Sequence, residues 1–212
     1  MSVILEQWDF AAAQNRNVTV LPDGCRDLIM RKRPGAAPIW FVSDLDSQAY
    51  QVRMRRGDCF YGFRLHPGVR VEEEALLHSL TDGMSAAQIR ERLHSYTSRN
   101  ANVTEALACL ASGVVSVAQA AAELGVQPRR LQRLLRHQTQ RSPAFWLRLA
   151  RLRKAAMRMT PRTHLAALAY DLGFADQSHM TREFRSWFGV TPHQIKAQAG
   201  WQADNMVAGY AG

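Results

Sequence analysis

The spacing of apolar residues divides the chain into two parts with different predicted structures. Over the first 70 residues, apolar side chains stand in short runs between turn-forming Pro, Gly and Asp residues, a pattern typical of β-strands. This part is therefore predicted to form a small antiparallel sheet or part of a barrel. The predicted strands are Val18–Leu21, Asp27–Met30, Ile39–Val42 and Tyr61–Leu65.

Helical spacing replaces the strand pattern further along the chain. Residues 71–80 are predicted to be helical, and Ser85-Ala-Ala-Gln88 has the form of a capping box that begins the next helix. The polar stretch 97–102 is the predicted domain boundary. The predicted fold class is α+β: a sheet or partial-barrel domain over residues 1–100, an all-helical domain over residues 103–198, and a flexible tail over residues 199–212, where no periodicity is found.

One segment of the helical part occurs twice. Ser116–Trp146 aligns with His164–Ile195, so that Leu124-Gly125-Val126 falls on Leu172-Gly173-Phe174. Each copy predicts a helix, a turn that contains glycine and a second helix, which is a helix-turn-helix unit. Two such units on one chain can place two helices in successive major grooves of DNA.

The charge of the chain is concentrated in this repeated part. The formal net charge is +9, and residues 1–100 hold 13 Lys or Arg against 12 Asp or Glu, whereas residues 101–212 hold 14 against 6. Between Glu123 and Asp171 there are 11 cationic side chains and no acidic one. A solubilising surface usually mixes both signs, so a basic face on a helical module favours a polyanion as the partner.

The repeated units also resemble a known family. The stretch Asp171–Arg185, continued by Trp187–Pro192, is similar to the signature of AraC/XylS-type transcriptional regulators. The resemblance covers residues 103–198 and implies tandem helix-turn-helix subdomains joined by a central helix, here at about 144–159. Residues Leu21–Ile29 and Gly62–Gly68 more weakly resemble the short cupin-like sensor domain of some members. The chain departs from the family pattern at Gln127, Gln140 and His164.

This resemblance implies which residues contact DNA. Residues near the start of a recognition helix reach bases, and later ones reach the backbone. Arg can pair with guanine, and Gln with adenine. The expected base-reading residues are Arg129, Gln132 and Arg133 in the first unit and Gln177, Ser178, Thr181 and Arg182 in the second. The expected phosphate contacts are Arg130, Arg136 and Arg185. Five cations of the central helix could contact phosphate, the other domain or solvent: Arg148, Arg151, Arg153, Lys154 and Arg158.

The implied function is a cytoplasmic, sequence-specific DNA-binding transcriptional regulator that activates transcription through contact with RNA polymerase, with repression as the alternative. The first domain has two alternative roles, sensing of a small-molecule effector or homodimerisation. Arg53, Arg55 and Arg56 form a candidate cluster for an anionic effector, and ordinary strand-edge charge is the other explanation.

Other classes of protein fit the sequence less well. A methyl-accepting repair enzyme with a zinc site needs grouped thiolates, whereas Cys25, Cys59 and Cys109 are isolated and no Cys-x-x-Cys occurs. The seven histidines lack HxH or HxxxH spacing, so no metal or other cofactor is expected. Cys25 and His66 could meet in the sheet, but a buried structural cysteine is favoured. No apolar run reaches the length of a membrane span, and the N-terminus lacks the pattern of a secretory signal.

Overall fold

The first domain is built on an open antiparallel sheet. The structure, a computed structural model, describes residues 2–198 and 200–211. Four strands lie in the spatial order β1 (Ile4–Ala11), β6 (Cys59–Leu65), β3 (Asp27–Lys32) and β4 (Ile39–Val42). A separate ribbon pairs β2 (Arg16–Val20) with β5 (Tyr50–Met54), and a short one pairs β7 (Arg70–Val71) with β8 (Thr97–Ser98). The predicted small antiparallel sheet is confirmed, and it does not close into a barrel.

Two helices cover the apolar side of this sheet. They are α1 (Glu73–His78) and α2 (Ala86–Tyr96), and their buried leucine and isoleucine side chains join the sheet residues Leu28, Phe63 and Leu65 in one core. The predicted capping box begins α2: Gln88 N donates to Ser85 Oγ at 3.3 Å, and Ser85 N donates to Gln88 Oε1 at 2.9 Å. These two bonds satisfy amides that the first helical turn leaves free.

The second domain is helical, which confirms the predicted α+β class. The long helix α6 (Pro143–Arg158) lies at its centre and buries Trp146, Leu149, Leu152, Ala155 and Ala156 in a core to which the neighbouring helices contribute. The helices are α3 (Ala101–Ser112), α4 (Val117–Glu123), α5 (Pro128–Thr139), α6 (Pro143–Arg158), α7 (Leu165–Asp171), α8 (Gln177–Phe188), α9 (Pro192–Ala197) and α10 (Trp201–Asn205). None of the helices within residues 2–198 and 200–211 has the length and apolar character needed to cross a membrane.

The C-terminal segment differs from the expected flexible tail over residues 199–212. Trp201 and Tyr210 are each 4 % exposed and belong to the core of the helical domain. The segment is held by single aromatic side chains, by a backbone hydrogen bond and by arginine side chains that bind its carbonyl groups. Such contacts leave no periodic pattern in a sequence. The expectation was therefore wrong for the described part of this segment, and Ala199 and Gly212 lie outside the described residues.

The two domains touch along an extended junction. The loop between β4 and β5 reaches both helix-turn-helix units, because Ala49 N donates to Trp187 O at 2.7 Å and Arg141 donates to Leu45 O. Leu21, which precedes β3, is buried in the core of the helical domain. The sheet domain is thus packed directly against the helices rather than separated from them.

Candidate nucleic-acid interface

The first helix-turn-helix unit consists of α4, a tight turn and α5. Ser116 caps α4 by accepting a hydrogen bond from Gln119 N at 3.0 Å. Gly125 has a φ of +64° in the turn, a conformation that favours glycine because it has no Cβ. Pro128 occupies the first turn of α5, where its missing N–H leaves no internal hydrogen bond unmade.

The second unit repeats this construction with α7 and α8. Gly173 takes the position of Gly125, with a φ of +72°. Asp176 caps α8 by accepting a hydrogen bond from His179 N at 2.6 Å. A carboxylate at this end also interacts favourably with the helix dipole. The internal repeat of the sequence therefore corresponds to two copies of one local fold.

The recognition helix α5 has one apolar face and one strongly basic face. Leu131 and Leu135 are 1 % and 0 % exposed, respectively, and fix the rotation of the helix on the core. The side chains predicted to contact DNA from this helix are all exposed: Arg129, Arg130, Gln132, Arg133 and Arg136. Among the side chains of residues 2–198, 200–202 and 205–211, no carboxylate lies within 4.0 Å of these four guanidinium groups. Their charge is therefore available to an anionic partner.

The corresponding face of α8 is less basic. Gln177, Ser178, Arg182 and Arg185 are exposed, whereas Thr181 is half-buried and its hydroxyl donates to Gln177 O at 2.9 Å. This bond occupies the hydroxyl proton of Thr181, so its oxygen remains as an acceptor. The helix contains one acidic residue, Glu183, and it lies on the side of α8 opposite the exposed residues just named.

Most cations of the central helix have contacts within the protein. Arg148 Nε lies 2.9 Å from Glu183 Oε2, so it joins α6 to α8 and neutralises the acidic residue of the second recognition helix. Arg151 donates to Val115 O, and Lys154 donates to Ala111 O. Arg153 is 1 % exposed and donates to the C-terminal segment. The alternatives for these side chains were phosphate, the other domain or solvent. Four of them instead bind groups of the helical domain or of the C-terminal segment, and Arg158 is exposed.

The three departures from the family pattern lie at helix ends. Gln127 makes no side-chain capping bond to α5, and His164 Nδ1 accepts only a long bond of 3.4 Å from Ala167 N. Gln140 ends α5 with a φ of +56°, a left-handed conformation that is costly for a residue with a Cβ. The local structure of both units is thus kept by apolar packing despite weaker caps.

The candidate effector cluster lies at the end of β5 and in the turn that follows it. Arg53, Arg55 and Arg56 are exposed, and the backbone N–H of Arg55 and Arg56 bind Asp58 and Asn15. A cleft of ≈ 480 Å³ lies elsewhere, at the domain junction, where its lining includes Arg26, His66, Arg70, His137 and Arg141. The sequence did not indicate this cleft, because its walls come from distant parts of the chain.

The cysteines are unpaired in the described structure. Cys25 is buried, Cys109 is half-buried and Cys59 is exposed. Burial, with a smaller effect of nearby Asp23, raises the pKa of the Cys25 thiol well above its usual range. The described side chains, those of residues 2–198, 200–202 and 205–211, contain no group of three or more His, Cys, Asp and Glu placed to hold a metal ion.

A comparison with protein families agrees with this geometry. The family model described as "Helix-turn-helix domain" matches residues 120–198, which span both units from α4 to the end of α9. Residues 120–198 form an AraC-type helix-turn-helix domain. The AraC-type domain therefore contains every residue predicted from the sequence to read bases or bind phosphate.

A curated relative is similar to half of this chain. The HTH-type transcriptional regulator VirS of Mycobacterium tuberculosis is 33 % identical over 110 residues, which are 50 % of this chain and 32 % of VirS. The chain thus matches about one third of the length of this relative.

Two solved structures are similar to parts of this chain. An AraC-type regulator from Chromobacterium violaceum has 25 % identity and a TM-score of 0.41, with 47 % of this chain and 96 % of that chain covered. ToxT from Vibrio cholerae has 9 % identity and a TM-score of 0.46, with 89 % of this chain and 96 % of that chain covered.

Two features that involve side chains of the AraC-type domain were not found from the sequence. One is the ion pair between Arg148 of α6 and Glu183 of α8. The other is the anchoring of the C-terminal segment by Arg153. The residues of each contact are far apart in the sequence and do not have helical or strand spacing, so no sequence pattern indicates them.

Proposed function

We propose that this chain is a transcriptional regulator that binds double-stranded DNA in a sequence-specific manner, with α5 and α8 in two successive major grooves. The observation that carries the proposal is the basic face of α5, where four exposed arginines have no carboxylate partner within the described residues. Unpaired arginines on a helix that follows a helix-turn-helix turn fit the phosphates and base edges of a major groove. The domain match over residues 120–198 supports the same function.

The first unit is proposed to supply most of the affinity. Arg129, Gln132 and Arg133 read base edges, and Arg130 and Arg136 bind phosphates on either side. Arginine is suited to base reading because its planar guanidinium can donate two parallel hydrogen bonds to guanine. The exposed positions of all five side chains on one helix support this division of roles.

The second unit is proposed to read its groove more weakly, in part through water. Gln177, Ser178, Thr181 and Arg182 are the base-reading residues, and Arg185 binds phosphate. Three of the four readers are neutral, so direct charge attraction is smaller than at α5. Water-bridged hydrogen bonds between such side chains and bases can still carry specificity.

We further propose that the sheet domain controls the DNA-binding domain, either through an effector or through homodimerisation. The junction in which the β4–β5 loop contacts Trp187 and Arg141 supports a mechanical connection between the two. Two further parts of the proposal derive from the sequence. One is that an anionic effector binds at Arg53, Arg55 and Arg56, and the other is that the protein activates transcription through RNA polymerase. Screening small anions and sugars by thermal shift of the full chain tests sensing, because a ligand that binds only the folded state raises the melting temperature. A screen in which no compound shifts the melting temperature, together with a dimer in solution, favours the dimerisation role.

Selection of binding sites from random double-stranded DNA tests the main proposal. We expect one enriched sequence with two half-sites about one helical turn apart, or ~34 Å centre to centre. Binding to that sequence is expected to weaken steeply with salt, since each phosphate contact releases counterions. Selection without enrichment, combined with an affinity that does not change between low and high salt, would contradict a DNA-binding function.

A further inference from the structure

The C-terminal strap, Met206–Ala211, crosses the junction between the sheet domain and the helical domain. Its Tyr210 packs edge-on against Trp146 of α6, with ring centroids 4.9 Å apart, and its hydroxyl donates to Leu107 O of α3 at 2.9 Å. In the opposite direction, Tyr210 N donates to Asp23 O in the loop before β3 at 2.8 Å. One residue of the strap is therefore bonded to both domains.

Two arginines, one from each domain, bind the carbonyl groups of the strap. Arg153 of α6 donates from Nε to Tyr210 O and from Nη2 to Val207 O, both at 2.7 Å. Arg64 of β6 donates from Nη1 to Ala208 O at 3.1 Å. Hydrogen bonds from a charged donor are stronger than neutral ones. The strap thus receives charge-assisted bonds from a strand of the sheet and from the central helix.

The strap fits tightly between the two domains at two glycines. A Cβ added at Gly24 would lie 2.6 Å from Tyr210 Cβ, and a Cβ added at Gly209 would lie 2.6 Å from Asp23 O. Atoms at such distances overlap, so the backbone of the strap approaches the sheet domain more closely than any side chain would allow. Glycine at both Gly24 and Gly209 therefore allows the closest backbone contact between the strap and the sheet domain.

The burial of Arg153 shows what the strap does for the junction. Arg153 is 1 % exposed, and burial lowers its pKa, while the negative charge of Asp23 in the sheet domain acts in the opposite direction. A buried charge is costly unless it is hydrogen-bonded. The side-chain bonds that Arg153 makes within the described residues both go to the strap. Departure of the strap would leave this guanidinium buried without them, so the closed junction and the bound strap depend on each other.

We propose that the C-terminal strap is a clasp that holds the sheet domain on the central helix of the helical domain. When the strap is bound, the β4–β5 loop stays against Trp187 and the α5–α6 turn. When the strap leaves, the sheet domain moves away from α6. The clasp is a property of the fold and does not depend on the identity of the DNA or of any effector.

Labelling of Cys25 with a maleimide in the full chain tests the clasp. Cys25 is 4 % exposed and follows Gly24, which lies against Tyr210. Cys59→Ser and Cys109→Ala leave it as the one thiol. A chain shortened to end at Asn205 is expected to label at least about tenfold faster, because protection of a buried group falls with the free energy of local opening. Circular dichroism and urea unfolding show whether the shortened chain keeps its helices.

A matched pair of single substitutions covers the case in which the shortened chain does not fold. Gly209→Ala adds a methyl group against Asp23 O and is expected to accelerate labelling, whereas Val207→Ala shortens a 46 % exposed side chain and keeps the carbonyl that binds Arg153. Val207→Ala should therefore label at the original rate. Equal labelling rates for Gly209→Ala, Val207→Ala and the original chain, within about twofold, would overturn the proposal, as would unchanged labelling of a folded shortened chain.

Discussion

Two substitutions on α5 should weaken DNA binding in different ways. Arg133→Ala removes a proposed base contact and is expected to lower affinity for the selected sequence by ~1–3 kcal/mol, or about 5–150-fold, and to relax the preference at one base pair. Arg136→Ala removes a proposed phosphate contact, so it should weaken binding to all sequences alike. Both side chains are exposed and have no acidic partner within the described part of the chain, so neither change breaks an internal contact.

The salt dependence gives the magnitude that separates the two roles. The three proposed phosphate contacts of Arg130, Arg136 and Arg185 contribute about −2.7 to the slope of log K against log salt, and Arg136→Ala should reduce this contribution to about −1.8. Fluorescence anisotropy with labelled duplex at four salt concentrations measures the slope. Arg92→Ala, an exposed change on α2, is the control for loss of one positive charge. An Arg133→Ala protein with full affinity and full base preference, or an Arg136→Ala slope equal to that of the control, would refute the assigned roles.

Three further changes test the local structure of the two units by urea denaturation. Gln140→Gly should raise the free energy of unfolding by about 0.5–1 kcal/mol, because glycine adopts the left-handed φ of +56° without a Cβ clash. A lower free energy of unfolding would contradict the backbone strain assigned to Gln140. Asp176→Ala removes the cap on His179 N and should cost about 1 kcal/mol; no loss would mean that the cap contributes nothing. Leu131→Ala, at a 1 % exposed position, should cost about 2–5 kcal/mol, and exposed Gln132→Ala less than about 0.5 kcal/mol; equal costs would place the wrong face of α5 in the core.

The sequence predicted best what depends on neighbouring residues. Helix α5 has Leu131 and Leu135 one turn apart, Pro128 at its start and Gly125 before it, and each signal acts within a few residues. The second unit repeats these signals, so both helix-turn-helix units and their exposed polar residues could be predicted. Of the longer strands, β2, β3, β4 and β6 were predicted, and β1 and β5 were not. Strand β1 was missed because Glu6, Gln7 and Asp9 interrupt its apolar residues.

Contacts between distant parts of the chain could not be predicted in the same way. Arg148 meets Glu183 only because α6 and α8 pack together, and Arg153 meets Tyr210 across 57 positions. The sequence showed an excess of cations on α6 but not which of them would be used inside the protein. Their roles depend on the position of partners that a single sequence does not reveal.

The shared core has a practical consequence for fragments of this protein. Leu21 from the sheet domain and Trp201 and Tyr210 from the end of the chain fill the interior around α6. A fragment cut at the boundaries that the sequence suggests, residues 103–198, would lack all three side chains. The apolar surface that they cover around α6 would then be exposed to water. Such a fragment should self-associate during purification, and an affinity tag attached next to Tyr210 would disturb the same region, so attachment at the opposite terminus is the better choice for biochemical work.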